Sequence, residues 1–489
     1  MDPGPPGGPR ETAIPRLGRP GSERRPAAPE QTAGRSRRGG PRLPTTILSF
    51  DGLSEGLHLS PADPTGALGV SYHLAAVNVR MNFFDRLGMP LFAGPKRLRT
   101  LDTQLPVGAE DFDPKVVYDP YRQVFLLAFL AATDTTSFLS LVVIPEGSEN
   151  DTSAWCVVHM AGDQVTGNGK QFADYPMIGF TEDRVTLTTN QFDYNSAPAI
   201  GGFRYVQILS MRKSQLYDCS VPVVKIRVFS RDQTRNPGGS RAFTIVPTIS
   251  NGGSPKAQWM VSVDFDGATG RVILWRLRVE NGILRLAKVE VGKGPMSFPP
   301  FGRQCSGSSK LNTRWDTGDL RITNSFWDGD LGRVYAATAV AGQIGGGSLG
   351  SVVRWWEIDP AAPLRDSTIT RKGIVGAAGR DAAWPSVATD GDGKLWINYA
   401  RAGIGGTDEC LSAYTAVVQP GSTTASSTLI KEGDARYETD PGVDRWGDFT
   451  AISRDPTDPT VVATYGAYPI GGGPTTNSWQ QIIATLADV

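Results

Sequence analysis

A repeated unit limits the folds open to this chain more than any other feature of its sequence. Each unit opens with a short apolar run, passes through a turn of Asp, Asn, Gly or Pro, and continues in a second run. Asp and Asn side chains bond their own backbone in such turns, and Gly supplies positive φ. The seven openings recur at intervals of roughly 45 to 75 residues, a spacing typical of repeat architectures. They are Val70–Asn78, Lys115–Tyr118, Met177–Phe180, Thr244–Ile249, Leu320–Asn324, Ser386–Thr389 and Phe449–Ser453.

The units predict an all-β chain. The runs that follow the turns are rich in β-branched and aromatic residues, as in Val124–Leu127, Val272–Trp275 and Lys394–Ile397, which is typical of strands. The chain of 489 residues contains 57 Gly and 36 Pro. That content favours many short strands and turns, and it argues against a helical bundle or a coiled coil.

The repetition predicts a single β-propeller with residues 45–489 as its domain. A four-stranded sheet cannot bury both faces alone, so repeated sheets arranged around a centre are the economical solution. We expect seven blades, with six or eight as alternatives. The last unit, which ends at Trp479–Leu486, is one strand short, and Thr46–Phe50 is expected to supply its outer strand and close the ring. A pair of β-sandwiches is the other architecture considered, but it would not need the same opening in every unit.

Residues 1–44 differ from the rest and are predicted to form a disordered tail. The segment is rich in Pro, Gly and Arg and has almost no aliphatic pattern. Such a composition cannot bury enough apolar surface to offset the entropy of ordering. The segment also lacks the apolar run of a signal peptide.

Charge and composition exclude several classes of partner. Lys and Arg total 49 and so do Asp and Glu, so we expect no nucleic acid partner. The longest apolar run, Val124–Ala132, is too short to cross a bilayer, and no membrane span is expected. Asp390-Gly391-Asp392-Gly393 begins like a calcium loop, but position twelve is Arg401 where a Glu ligand belongs. We therefore predict no metal, no cofactor and a monomer.

The four cysteines, Cys156, Cys219, Cys305 and Cys410, leave their chemistry open. They lie far apart, so no metal-binding pair is present. Isolated buried thiols are the simplest interpretation. Disulfides are the alternative, and the sequence does not choose among the three pairings that four cysteines allow.

The candidate binding residues stand where several units begin. In a propeller all inner strands run the same way along the channel, so residues at equivalent starts meet at one mouth. Carboxylates and guanidiniums that converge on a concave site are the usual signature of a ligand site. We expect Asp113, Asp174 and Asp448 to face Arg321 and Arg445 there. Trp384 and Trp446, at the starts of units 6 and 7, are candidates for stacking on sugar rings, with packing between blades as the alternative.

Four stretches, Pro61–Asn78, Phe112–Arg122, Asp174–Asn190 and Arg445–Pro456, together resemble an uncharacterised group of secreted bacterial β-propeller proteins of the sialidase-like superfamily. The resemblance covers about residues 45–489. It implies the propeller fold and an extracellular setting, and it carries no established reaction or catalytic residue.

The features of true sialidases are mostly missing. No Arg-Ile-Pro occurs, one turn (Asp328–Tyr335) is similar to an Asp box, and two mouth arginines are found where sialidases use three. We therefore predict a propeller that binds a glycan or a protein at the channel mouth. A carbohydrate hydrolase is the alternative, because Asp113, Asp174 and Asp448 supply the two carboxylates that glycoside hydrolysis requires.

Overall fold

The structure is a computed structural model. It describes residues 10–15, 43–54, 60–167, 171–194, 202–253, 255–305, 314–345, 348–404, 408–439, 443–473 and 475–488. Among these residues no helix is both long and apolar enough to cross a membrane. The described helices are the short α-helix Lys213–Leu216 and the 3₁₀ turns Leu98–Thr100, Thr152–Ala154, Arg231–Thr234 and Leu364–Asp366.

The described strands form seven main antiparallel sheets, here called blades 1 to 7, each given from its inner strand outward. Blade 1 is Thr65–Leu68, Tyr72–Val77, Arg80–Asp85 and Lys96–Arg97; blade 2 is Glu110–Asp119, Val124–Ala132, Ser137–Pro145 and Cys156–Ala161; blade 3 is Gln171–Phe180, Arg184–Asp193, Phe203–Arg212 and Val223–Phe229. Blade 4 is Phe243–Pro247, Ala257–Asp266, Thr269–Glu280 and Ile283–Pro295; blade 5 is Asn324–Asp328, Arg333–Gly342, Gly350–Asp359 and Thr368–Val375. Blade 6 is Arg380–Thr389, Leu395–Gly403, Glu409–Val418 and Ala425–Lys431; blade 7 is Ala451–Arg454, Val461–Pro469, Trp479–Ala487 and Thr45–Ser54.

Shorter strands lie at the ends of the blades. Ile249–Asn251 runs parallel to the inner strand of blade 5, and two small sheets join connecting segments. The strands of the small sheets are Gly302–Arg303, Arg314–Trp315, Val443–Asp444, Arg436–Tyr437 and Thr475–Thr476.

The blades form a closed ring. Each inner strand contacts the inner strand of the next blade in chain order, and the inner strand of blade 7 contacts that of blade 1. Apolar side chains fill the spaces between neighbouring sheets, so that each sheet buries both faces. The predicted seven-bladed propeller is confirmed.

The turn after each inner strand explains why the units repeat. Asp328 accepts hydrogen bonds from the amides of Asp330 and Leu331, both at 3.0 Å. Asp390 accepts from the amides of Asp392 and Lys394 at 2.9 and 3.0 Å. These carboxylates organise hairpin turns, as the sequence predicts.

The predicted closure of the ring is also confirmed. Thr45–Ser54 pairs antiparallel with Trp479–Ala487 and becomes the outer strand of blade 7. Gln481 ties this sheet to blade 1: its carbonyl accepts from the Leu53 amide, and its amide group donates to the Thr65 and Ala76 carbonyls at 3.2 and 3.3 Å.

Within the N-terminal tail that the sequence predicts to be disordered, the structure describes one strand, Arg10–Pro15. This segment pairs antiparallel with Val223–Phe229 and adds a fifth strand to blade 3. The outer strand of a blade presents unpaired backbone groups, and a short extended segment can satisfy them whatever its composition. Residues 1–9 and 16–42 of the predicted tail lie outside the described residues.

Two of the predicted inner strands are also wrong. In blade 1 the inner strand is Thr65–Leu68, and Val70–Asn78 contains the second strand. Gly66 in that strand lies against the Tyr465 ring, where a Cβ would be only 2.3 Å from a ring carbon, so small residues replace the usual β-branched pattern. In blade 5 the inner strand begins at Asn324, and Leu320–Thr323 leads into it.

The cysteines form two disulfides, so the interpretation as isolated thiols is wrong. Cys156 pairs with Cys219 across blades 2 and 3, with Cα atoms 5.5 Å apart. Cys305 pairs with Cys410 at a Cα separation of 4.6 Å. Both separations lie in the usual range for the bond.

The closing strand predicts a sharp difference between two truncations. Removal of residues 1–42 spares the strand Thr45–Ser54, and we expect the melting temperature to fall by no more than about 5 °C. Removal of residues 1–54 opens blade 7, and we expect a fall of more than about 10 °C, since 1 kcal/mol shifts a large domain by roughly 2–4 °C. Differential scanning calorimetry of the two truncations measures both changes. Equal shifts would contradict the role given to the closing strand.

Candidate functional site

Left-handed residues before prolines shape one mouth of the channel. Asp63, Asp113, Tyr175 and Trp384 have φ of 47°, 51°, 55° and 55°, and a proline follows each. In the inner strands of blades 2, 3 and 6 this residue sits in a break of the pairing register. A bulge re-aims side chains, and such backbone strain tends to collect at functional sites.

The structure brings together the five charged residues predicted for the mouth. The Tyr175 amide donates to Asp113 at 3.3 Å, and the Tyr175 hydroxyl donates to the Asp448 carbonyl at 3.3 Å. The fields of Arg321 and Arg445 both act on the Asp174 carboxyl. The cluster of Asp63, Asp113, Asp174, Arg321, Arg445 and Asp448 is called the mouth cluster below.

Asp63 is a member of the mouth cluster that the sequence analysis missed. Its carboxylate accepts from the Asn78 amide group at 2.6 Å and from the Asp448 backbone amide at 2.7 Å, so it joins blade 1 to blade 7. The pair Asp63-Pro64 repeats Asp113-Pro114 in sequence and in left-handed conformation. The repeated Asp-Pro pair is the sequence signal that could have identified Asp63 as a member of the cluster.

The two arginines of the cluster are held differently. Arg321 makes a bidentate contact with Asp319 at 2.7–3.0 Å, and its guanidinium lies 4.5 Å from the Tyr175 ring centre and 5.0 Å from that of Phe243. Arg445 donates to Asp448 at 2.8 Å, and its side chain is 47% exposed. Arg321 is thus locked in place, whereas Arg445 faces solvent.

Burial, and after it the charges of neighbouring carboxylates, raises the pKa values of the acidic groups in the mouth cluster. Burial, followed by the charge of Asp448, raises the pKa of Asp63 to about 7. Burial raises the pKa of Asp174 to about 6, although Arg321 opposes the shift. Burial and the Asp174 charge raise the pKa of Asp113 well above its ordinary value, and burial raises that of Asp448. The cluster therefore holds protons near neutral pH.

Lys115 lies beneath the carboxylates and was also missed. Its side chain is buried, and its Nζ lies 3.5 Å from the centre of the Phe449 ring. Burial lowers its pKa to about 7, although the charges of Asp63 and Asp113 act in the opposite direction. A lysine inside an alternating strand next to a proline bulge gives no sequence signal of this position.

Trp384 and Trp446 do not present their rings to solvent, so their predicted role in stacking on sugars is wrong. Their exposures are 4% and 3%. The Trp384 indole donates to the Asp316 carbonyl at 3.0 Å, and Trp446 packs edge-on against Tyr437. Both rings fill space between blades, which was the alternative interpretation.

The channel below the mouth is narrow. Its cavity of about 30 Å³ lies among the inner strands, with Lys115, Asn324 and Thr450 in its wall. Space of this size suits water rather than a sugar ring. The mouth, rather than the channel, is therefore the candidate site for a larger ligand.

Asp174 differs from the other carboxylates of the mouth cluster because its side chain has no hydrogen-bonding partner among the described residues. Its half-buried side chain makes no hydrogen bond and no ion pair to any residue that the structure describes. The other three carboxylates accept hydrogen bonds from Asn78, Tyr175, Arg445 or Asp448. An unpartnered carboxylate costs free energy that a ligand donor would recover.

Comparison with known proteins yields no relative by sequence, since neither a family model nor a curated protein matches the chain. Among solved structures, the chain is similar to an α-L-arabinanase of Penicillium chrysogenum complexed with arabinobiose, with 10% identity and a TM-score of 0.35 over 64% of this chain and 93% of that one. It is also similar to the α-L-arabinofuranosidase Arb93A from Fusarium graminearum (10% identity, TM-score 0.32, 65% and 98% covered). A mutant of Trypanosoma rangeli sialidase that displays trans-sialidase activity shares 8% identity at a TM-score of 0.36, with 76% and 53% covered.

Identities and TM-scores this low carry no inference about function. The fold and the cluster by themselves define the class: a closed seven-bladed β-propeller with a crowded, mixed-charge site at one mouth of its channel.

Replacing Asp174 should make the fold more stable at neutral pH. The pKa of Asp174 in the folded chain, about 6, lies above its ordinary value of 3.8. The protonated form thus contributes stability at acid pH, and this contribution is lost as the pH rises from about 4 to 7. We expect Asp174→Asn to raise the free energy of unfolding at pH 7.5 by roughly 1–2 kcal/mol and to change it little at pH 4, since one pKa unit is 1.36 kcal/mol.

Urea unfolding at the two pH values measures this difference. Asp119→Asn is the matched control at the other end of an inner strand. Asp119 pairs with the buried Lys213, so its replacement should destabilise the protein at pH 7.5. Destabilisation by Asp174→Asn of the same size would contradict the proposed electrostatic strain.

Proposed function

We propose that the mouth cluster binds a glycan. The observation that carries this proposal is the half-buried Asp174 carboxylate, which lacks a partner among charged groups that have one. Sugar hydroxyls are donors and acceptors at once. A hydroxyl between Asp174 and an arginine would satisfy a carboxylate acceptor and a guanidinium donor together.

Two guanidinium groups support the recognition of polar ligands. Both the Nε and the Nη2 of Arg321 are directed at Asp319, so the Nη1 is left to donate to a ligand. Arg445 is half exposed and adds a second donor to the cluster. Donors fixed before binding lose little entropy when a ligand arrives.

An extracellular setting is part of the proposal. Cys156–Cys219 and Cys305–Cys410 support it, because disulfides persist in oxidising compartments. A monomer is the expected state, because ring closure leaves no blade in need of a partner chain.

A glycan array tests the proposal. We expect wild-type protein to bind a defined set of glycans, and Asp174→Ala and Arg445→Ala to weaken that binding at least tenfold, because each removes a group that faces the ligand. Arg365→Ala, at a side chain that is 81% exposed on blade 5, is the control and should bind as wild type does. Far-UV circular dichroism verifies folding. Unchanged binding by both mouth variants would refute the proposal.

Glycoside hydrolysis is the second candidate. Its support is the pair of Asp174, with a pKa of about 6, and Asp448, which is held by Arg445. Such a pair can divide the roles of general acid and of base or nucleophile, because the Arg445 charge favours the ionised form of Asp448. Asp174 would protonate the leaving oxygen, and Asp448 would act on the opposite side of the sugar.

The hydrolase candidate makes its own prediction about pH. A general acid with a pKa of about 6 must be protonated to act, so kcat/KM should fall as the pH rises through 6. Chromogenic glycosides assayed from pH 4.5 to 8 measure the profile. Asp174→Asn should lower kcat at least a hundredfold and still bind the glycan, whereas binding without turnover in the wild type would leave recognition as the function.

A further inference from the structure

A second cavity opens on the mouth face of the propeller, between blades 3 and 4. Its volume is about 410 Å³, and Arg204, Arg231, Arg235 and Arg241 line it. Gln171, which begins the inner strand of blade 3, is also in its wall, and the same strand carries Asp174 three residues later. Three residues of strand span about 10 Å. The cavity, here called the arginine cleft, therefore lies beside the mouth cluster.

The arginine cleft carries an excess of positive charge. Four guanidinium groups face two carboxylates, of which Asp193 pairs with Arg204, and Asp232 pairs with Arg235 at 2.8 Å. Arg231 and Arg241 have no carboxylate partner among the described residues. The Arg231 guanidinium lies 5.7 Å from the Tyr205 ring centre, and Arg241 donates to the Phe203 carbonyl at 3.0 Å. This local excess stands out in a chain whose formal net charge is zero.

The backbone holds Arg231 in a strained position. Its φ is 53°, in the left-handed region, and it begins the 3₁₀ turn Arg231–Thr234. The Ser230 amide donates to the Gln233 side chain at 3.3 Å, and the Thr234 hydroxyl donates to the Val206 carbonyl at 2.9 Å. The first bond closes the turn and the second anchors it to blade 3, and strain of this kind persists only where the surroundings enforce it.

A strip of aromatic rings joins the arginine cleft to the mouth cluster. The Arg321 guanidinium lies 5.0 Å from the Phe243 ring centre, and Phe243 packs edge-on against Phe203 at 5.0 Å. Phe203 in turn accepts the Arg241 hydrogen bond through its carbonyl. Both rings are only half-buried. A chain of sugar residues that leaves the mouth over these rings would reach the cleft.

We propose that the arginine cleft binds anionic substituents, carboxylates or sulfates, on the glycan that the mouth cluster holds. This inference rests on the proposed glycan-binding function. Guanidinium groups bind carboxylate and sulfate oxygens through two parallel hydrogen bonds. A nucleic acid fits less well, because its backbone needs a longer basic track than the four arginines and two carboxylates of the cleft provide.

Isothermal titration of the full chain with three oligosaccharide pools tests the inference. The pools are oligogalacturonates, sulfated oligosaccharides from heparin, and neutral arabino-oligosaccharides. The cleft variant is Arg231→Gln/Arg241→Gln. Its control, Arg285→Gln/Arg365→Gln, removes the same charge from side chains that are 57% and 81% exposed on blades 4 and 5. Asp174→Ala reports on the mouth separately.

We expect the cleft variant to weaken binding of an anionic pool at least tenfold, to leave neutral binding within twofold, and to reduce the salt dependence of affinity. The control should bind within twofold of wild type. The pool that is affected distinguishes a carboxylate from a sulfate ligand.

Any of four results would overturn the inference. They are an equal loss of binding in the control, no loss in the cleft variant, no binding of any pool, and tighter cleft-dependent binding of a single-stranded oligonucleotide. If Asp174→Ala weakens neutral binding while the cleft variant changes nothing, the proposed function stands and the inference fails. If only the cleft variant weakens anionic binding, the cleft binds anions by itself and the glycan site at the mouth fails.

Discussion

Closure of the ring by two distant segments is the constraint on which the rest of the molecule depends. A blade buries its two faces only when a neighbour stands on each side, so an open ring would expose two apolar sheets at once. The pairing of Thr45–Ser54 with Trp479–Ala487 removes that gap. Gln481 and the bidentate contact of Arg86 with Asp455 at 2.6 and 2.9 Å then join blade 7 to blade 1. The inner strands converge because the ring is closed.

That convergence puts like charges close together. The four carboxylates of the cluster come from blades 1, 2, 3 and 7: Asp63, Asp113, Asp174 and Asp448. Charges of neighbouring cluster carboxylates add to burial in raising the pKa values of the first three, and burial raises the pKa of Asp448. Asparagine side chains bridge neighbouring blades by accepting hydrogen bonds from backbone amides near the bulges. Asn78 accepts from the Asp113 amide at 2.9 Å, Asn190 from the Thr244 amide at 3.0 Å and Asn324 from the Val387 amide at 3.1 Å. The bridges stabilise the bulged strands without neutralising the carboxylates.

The sequence predicts the parts of this design that local chemistry controls. Turns such as Asp390–Gly393, together with the missing strand of blade 7, predict the closed propeller. The starts of the repeated units predict five charged residues of the mouth cluster, because turns and unit starts are local sequence patterns. The inner strand Thr65–Leu68, the lysine at 115 and the disulfides depend on contacts between distant segments, such as Tyr465 against Gly66. The burial of Trp384 followed from the same cause, since a bulge turned its ring between blades.

Asp119 and Asp174 show how differently the fold treats two carboxylates on its inner strands. Both lie on inner strands, at opposite ends of the channel. Asp119 forms an ion pair with the Lys213 ammonium and accepts a hydrogen bond from the Tyr217 hydroxyl, so its charge is paired within the fold. Asp174 meets neither a donor nor a paired cation among the described residues, although two arginines lie within reach of its field. Such an arrangement costs the fold free energy, and this cost is the reason why Asp174 is proposed to find its partner in a bound ligand.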